Sequence, residues 1–260
     1  MNIKPIALFI SLAVLAGTAL ADAPKARHDW TGFYVGGFVG GGAGAKTHTT
    51  EPVTSNGIYG FNPGADNNYH TKASVMGGGT VGYNWQLGKS PYLIGLEAEY
   101  GYLGSKGSDL DPNRVMSGGY ENSNHRTKIG GSYGYGLIGG RLGYAYERSL
   151  FYIKSGAVFT TTKTGYNLSE NVPNQIYNSS SKTNSVGYGI GGGIEQTLPP
   201  EWFESAKHIS IKAEYLYLGI ERTQTSSGIC NWPDSTFTTT DHISGIHTAK
   251  IGINYRFRGL

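Results

Sequence analysis

The chain has 260 residues, among them 41 glycines, 19 tyrosines and one cysteine, with 21 basic and 18 acidic side chains and a formal net charge of +3. That charge is too small to point to nucleic acid or a polybasic membrane patch, a lone cysteine cannot form an internal disulfide, and no Gly-x-y period exists, which excludes a collagen-like chain. Abundant glycine beside abundant tyrosine suits strands in which aromatic rings lie over neighbouring glycines.

Residues 1–21 read as a secretory signal peptide. Lys4 supplies the positive start, Ile6 to Val14 the apolar run, and Ala19 and Ala21 a small-x-small end before Asp22. Cleavage after Ala21 leaves about 239 residues and removes Lys4, which lowers the net charge from +3 to +2. Residues 22–29 are then a short periplasmic segment, 30–257 a barrel and 258–260 an overhang. Beyond the signal no run approaches the roughly 18 apolar residues a spanning helix needs.

Residue-by-residue alternation predicts eight strands, near 30–44, 73–87, 91–104, 129–146, 150–164, 183–198, 208–222 and 244–257. Their connections alternate between short (88–90, 147–149, 199–207) and long (45–72, 105–128, 165–182, 223–243). Antiparallel strands need only tight turns, and outer-membrane barrels place short turns in the periplasm and long loops outside. The expected fold is all-β, an eight-stranded antiparallel transmembrane β-barrel with both ends in the periplasm. The long connections, rich in Ser, Thr, Asn and Gly, read as exposed loops.

Aromatic residues sort by strand end, as interfacial girdles do. Trp30, Trp85, Tyr92, Tyr144, Tyr146, Phe151, Tyr255 and Phe257 map to the periplasmic rim, and Tyr100, Tyr102, Phe159, Tyr215 and Tyr217 to the outer one. The last segment shows the two faces most plainly. His247, Ala249, Ile251, Ile253, Tyr255 and Phe257 take one face, and Thr248, Lys250, Gly252, Asn254 and Arg256 the other.

The same parity directs Glu97, Glu99, Arg141, Lys154, Glu195, Lys212, Glu214, Lys250 and Arg256 into the lumen. Their outward neighbours are apolar: Ile94, Leu96, Ala98, Leu142, Tyr144, Ile153, Ile194, Ile211 and Ala213. An eight-stranded barrel leaves room only for side chains. Four acids and five bases are therefore expected to form a plug of ion pairs that also fixes the register.

Several segments resemble the small outer-membrane β-barrel (porin family) proteins of alpha-proteobacteria, which are Gram-negative. They are Trp30 to Gly37 (WTGFYVGG), Val81 to Gln86 (VGYNWQ), Gly140 to Ala145 (GRLGYA) and Lys212 to Tyr217 (KAEYLY). The match runs from Trp30 to Phe257. It ends in Lys250-Ile251-Gly252-Ile253-Asn254-Tyr255-Arg256-Phe257, which is similar to the polar-x-Gly-x-x-aromatic-x-aromatic signal read by the barrel assembly machinery. The resemblance implies the architecture of the OmpA membrane domain, cell outer membrane localisation, and Lys250, Gly252, Tyr255 and Phe257 as the assembly signal. It implies an abundant surface protein that supports envelope integrity. Some such relatives bind haemin or act as host-facing antigens. Arg258, Gly259 and Leu260 extend past the expected terminal Phe257.

Other motifs carry less. Gly134 to Gly139 matches G-x-G-x-x-G, but alternation runs straight through it, so the glycines read as close-packing positions and not as a nucleotide loop. His48, His70, His125 and His242 lie in or beside the long connections, without metal-ligand spacing. His242-Ile243-Ser244 resembles the His-x-Ser pair of barrels that deacylate lipid A; by parity, however, both residues point inward and no carboxylate orients the histidine. His208-Ile209-Ser210 lies at the wrong end. Cys230 reads as a loop thiol, and Trp232 and Phe237 as packing within their own loop.

The expected function is non-enzymatic: a structural surface barrel with at most narrow passive diffusion and no catalytic, metal or cofactor residues. Expected partners are outer-membrane lipids, lipopolysaccharide and the assembly machinery, but no nucleic acid. Haem or a host component bound at the loops is the alternative. A true diffusion porin, which needs far more strands, and a lipid A deacylase rank below it.

Overall fold

A computed structural model describes residues 28–44, 46–54, 66–88, 90–110, 122–129, 134–169, 176–231 and 234–257. The expected signal peptide, Trp232 and the overhang 258–260 lie outside the described residues. The strands, in chain order, are β1 (Gly32–Ala43), β2 (Lys46–Thr54), β3 (Asp66–His70), β4 (Ser74–Gln86), β5 (Tyr92–Leu103), β6 (Ser105–Leu110) and β7 (Asn122–Ile129). They continue with β8 (Tyr135–Tyr146), β9 (Ser149–Ser169), β10 (Ile176–Thr197), β11 (Ile209–Gly219), β12 (Arg222–Asn231), β13 (Asp234–Ile243) and β14 (Ile246–Arg256).

Eight of these close a ring. Each neighbour pairs antiparallel in the order β1-β4-β5-β8-β9-β10-β11-β14, and β14 returns to β1 with Tyr34 opposite Arg256 and Ala43 opposite His247. Closure matters because no unpaired backbone N–H or C=O is tolerated in hydrocarbon. Short turns follow β4 and lie at 147–148, with Gly88 and Glu147 at positive φ (60° and 49°). The third, longer, carries a single 3-10 turn at Glu204–His208.

Alternation produces two unlike faces. From Ile246 to Arg256, β14 is buried and exposed in strict turn, and β5 follows the same rule. Exposed apolar side chains such as Leu96, Ile138, Leu142, Ile153, Ile251 and Ile253 cover the outside. Inside, an apolar layer of Trp30, Leu93, Ala145, Leu150 and Tyr152 lies at the periplasmic end. A larger one, including Phe38, Leu103, Tyr135, Leu137, Leu216 and Ile246, lies towards the outer end. Small residues allow this filling: a Cβ on Gly82 would fall 2.5 Å from Cζ of Tyr34, and one on Gly139 would fall 2.7 Å from Cα of Gly156. That close approach also accounts for the Gly134 to Gly139 run, which lies at the start of β8.

The long connections depart from expectation. They are not loops throughout: β2, β3, β6, β7, β12 and β13, with the outer parts of β9 and β10, prolong the wall in the order β3-β2-β13-β12-β10-β9-β7-β6. Lys72 N donates to Lys106 O at 2.9 Å across the remaining gap. Threonine is a good strand former, and pairing between successive hairpins supplies the ladder that loop-like composition conceals. Inside this extension, Phe237 is fully buried against Tyr166, with ring centroids 6.0 Å apart. Ser226 and Thr239 bond at 2.8 Å, and Thr162 and Ser185 at 3.2 Å. The fourth barrel strand starts at Tyr135, not near 129; Asn122–Ile129 forms β7 instead, paired with β6 and β9.

Trp30 is also corrected. It is fully buried beneath Arg256, 4.3 Å from ring centroid to Cζ, so it closes the lower lumen and is not part of the girdle. The chain enters β1 from below the ring, and the guanidinium draws the indole inward.

Replacing lipid-facing Leu96 with arginine should destabilise the barrel by about 2–4 kcal/mol if it lies near mid-membrane, as charged side chains there do. Reversible denaturant unfolding in phospholipid vesicles measures this, and an unchanged midpoint would contradict the assignment of the outer face.

Candidate functional site

Nine charged side chains from six strands converge between the two apolar layers. Glu97 and Glu99 stand on β5, Arg141 on β8, Lys154 on β9, Glu195 on β10, Lys212 and Glu214 on β11, and Lys250 and Arg256 on β14. Each is at most 4% exposed. Strand parity places them there, since every intervening residue points to the outside.

Lys154 is the hub. Its Nζ lies 2.6 Å from Glu97, 2.8 Å from Glu99 and 3.0 Å from Glu214. Lys250 pairs with Glu99 and, at 2.8 Å, with Glu214, while its ammonium stands 4.5 Å from the centroid of Phe38. Arg141 bridges Glu195 at 3.3 Å and Glu97 at 3.6 Å, and stacks over Tyr34 at 4.5 Å and Tyr152 at 5.1 Å. Arg256 reaches Glu195 at 3.5 Å and donates to His28 Nε2 at 2.8 Å. Lys212 donates to Thr80 Oγ1 at 3.5 Å and makes no ion pair among the described residues.

Residues outside the charge set complete the network. Tyr34 donates to Glu97 at 2.6 Å, Tyr152 to Glu214 at 2.8 Å, and Tyr135 to Glu99. Arg141 Nε donates to Asn84 Oδ1 at 2.7 Å, and Ser210 and Asn254 both donate to Glu195 Oε1. Charge alone did not single out these tyrosines and asparagines, although their parity on β1, β4, β8, β9 and β14 is inward. Around the network, the buried donors Trp30 Nε1, Asn84 Nδ2, Arg141 Nη2 and Arg256 Nε have no acceptor among the described residues.

At the closing strand, Lys250 and Gly252 face inward, Tyr255 is 40% exposed outside, and Phe257 is half-buried with its ring 5.0 Å from Tyr255 and 5.7 Å from Phe33. A Cβ on Gly252 would fall 2.6 Å from the carbonyl oxygen of Gly37.

The inward reading of His242 and Ser244 fails. His242 is exposed on the outer surface, and Ile243 and Ile246 are buried. Ser244 and Gly245 separate β13 from β14, and two adjacent buried residues, Gly245 and Ile246, break the alternation. His48 stands opposite His242, and His70 opposite Lys46 on the next strand, whereas the His125 side chain lies outside the described residues. Cys230 holds a strand position opposite Ser235. Among the described residues, no three His, Cys, Asp or Glu side chains are grouped to hold a metal.

A closed antiparallel ring with an apolar outside, aromatic rims and a polar interior defines a transmembrane β-barrel of the outer-membrane class. The chain belongs to the family of outer membrane protein beta-barrel domains, whose model matches residues 9–257, and is an outer-membrane protein. It is similar to the 31 kDa outer-membrane immunogenic proteins of Brucella melitensis biotype 1 and Brucella suis biovar 1. Each is 26% identical over 258 residues, covering 96% of both chains. Among solved structures it resembles the outer membrane protein OprG from Pseudomonas aeruginosa, with 12% identity over 92% of this chain and all of that one and a TM-score of 0.47.

Removing the hub takes one ion pair from each of three buried carboxylates, leaving Glu97 to Arg141 and Glu99 and Glu214 to share Lys250. Lys154→Met should cost about 3–5 kcal/mol, the usual penalty for breaking a buried ion pair on one side. Equilibrium unfolding reads the loss, and a change below about 1 kcal/mol, within reach of a surface pair, would mean that Lys154 is not the hub.

Proposed function

We propose that this chain is a non-enzymatic structural barrel that presents a large outer surface and whose lumen is closed by its own ion pairs, with at most narrow passive diffusion. The single observation that carries this reading is the Lys154-centred network, which spans the lumen between apolar layers and pairs all four carboxylates. An eight-stranded ring leaves space only for side chains. The unpaired donors around Asn84 and Arg141 are where water-sized species would enter. The signal peptide at 1–21, lipid contacts along the outer wall and recognition of Lys250, Gly252, Tyr255 and Phe257 by the assembly machinery belong to the same reading.

A second reading is binding of haem or a host component at the outer surface. The paired extension beyond the membrane favours it, as does the naming of the Brucella relatives as immunogenic. Exchanging β12–β13 for a short turn and assaying binding separates it from a purely structural role.

In planar bilayers the purified barrel should show no stable large conductance, and liposomes containing it should not swell in small sugars. A steady channel would overturn the closed lumen. The Glu97→Lys/Lys154→Glu exchange sets the new carboxylate against Glu99 and Glu214 and the new ammonium beside Arg141, so it should destabilise the barrel in equilibrium unfolding, and unchanged stability would contradict the network. Phe257→Ala should lower the outer-membrane yield; unchanged yield would remove Phe257 from the assembly signal.

A further inference from the structure

Three junctions meet where the barrel wall passes into its outer extension: β1 to β2, β11 to β12 and β13 to β14. They are tied together there. Ser244 N donates to Lys46 O at 2.9 Å, and Lys46 N donates to Ser244 Oγ at 2.8 Å. Arg222 Nη1 donates to Asn184 O at 3.2 Å. His242 Nδ1 is 2.6 Å from Thr223 Oγ1, and its ring centroid is 5.9 Å from that of His48. The result is an open pocket of about 490 Å³ on the outward surface, walled by Lys46, His48, Glu221, Arg222, Thr223 and His242.

Its chemistry is that of an anion site. Lys46 and Arg222 outnumber the single carboxylate of Glu221, and Thr223 at Nδ1 leaves His242 Nε2 as the ring nitrogen open to a ligand. Ammonium, guanidinium and imidazole donors together match the oxygens of a phosphate, which takes several charge-assisted hydrogen bonds at once.

Its height on the wall selects the source of that phosphate. Lys46 follows Ala43, which pairs with His247, and His247 lies within the outer aromatic belt, bonded to Tyr215 at 2.5 Å and 5.0 Å from Tyr217. At about 3.4 Å per residue, the pocket opens about 10 Å along the wall above that belt, in the headgroup layer. Directly below, Val39 on β1 and Ile251 on β14 are each 62% exposed, a wall for acyl chains.

We propose that this pocket binds the phosphate of a phosphorylated glycolipid of the outer leaflet, with Lys46 and Arg222 supplying charge and His48 and His242 flanking the headgroup. The site is separate from the lumen network and does not depend on whether the lumen conducts.

The test uses the full chain, refolded in detergent micelles, with fluorescent bisphosphorylated lipid A as the probe. Wild-type barrel should bind it at least about tenfold more tightly than dephosphorylated lipid A, a gap within the range of charge-assisted contacts. The Lys46→Ala/Arg222→Ala double variant should lose about tenfold in affinity while keeping the heat-modifiable gel mobility of a folded barrel. The single Thr223→Val variant, in which the wall keeps its shape, should lose less. Equal binding of dephosphorylated lipid A, or undiminished binding by the folded double variant, would overturn the phosphate site. Inorganic pyrophosphate should compete only in large excess; competition at equal concentration would overturn the lipid-anchored source.

Discussion

Main-chain hydrogen bonding inside an apolar slab is the constraint on which the rest of this molecule depends. A strand left open in hydrocarbon would expose a row of unpaired amides, each costing several kcal/mol, so the first and last barrel strands must find each other. The β1–β14 ladder does this, from Tyr34 opposite Arg256 to Ala43 opposite His247. Once the ring is closed, strand parity has only two destinations, lipid or lumen. Every later feature, from the exposed Leu96 to the buried Lys154, follows from that division.

The lumen then poses its own problem, because charges removed from water are stable only when their partners are well placed and the remaining lone pairs are satisfied. Here one carboxylate serves several donors: Glu97 meets Lys154, Arg141 and Tyr34, and Glu195 meets Arg141, Arg256, Ser210 and Asn254. Five of these seven contacts tie strands that are not neighbours in the ring. A one-residue slip of β9 would carry Lys154 to the lipid face and leave three acids behind, so the network specifies register as well as filling space.

The outer extension solves a different problem with the same element. Beyond the membrane, water can satisfy amides, yet the hairpins still pair with one another, since Ser and Thr side chains bond inside the prolonged wall and Phe237 and Tyr166 supply an apolar contact. The junction between the two sections is where alternation breaks, at Gly245 and Ile246, and where the cationic pocket opens. A change of parity at that level turns a histidine outward that would otherwise face the interior.

The sequence by itself determined the eight-strand ring, its short and long sides, and the inward face of the nine lumen charges, because a period of two is local and is written directly in the order of residues. Lys250, Gly252 and Arg256 between Ile251, Ile253 and Tyr255 needed no neighbour to be read. Only the tertiary structure decided which charges touch, that Tyr34, Tyr135 and Tyr152 complete the network, that Trp30 turns inward beneath Arg256, and that His242 turns outward beside His48. It also decided that polar connections become paired strands. The reason is physical: pairing partners, cross-lumen contacts and breaks in alternation depend on residues far apart in the chain, and closing the ring is what brings them together.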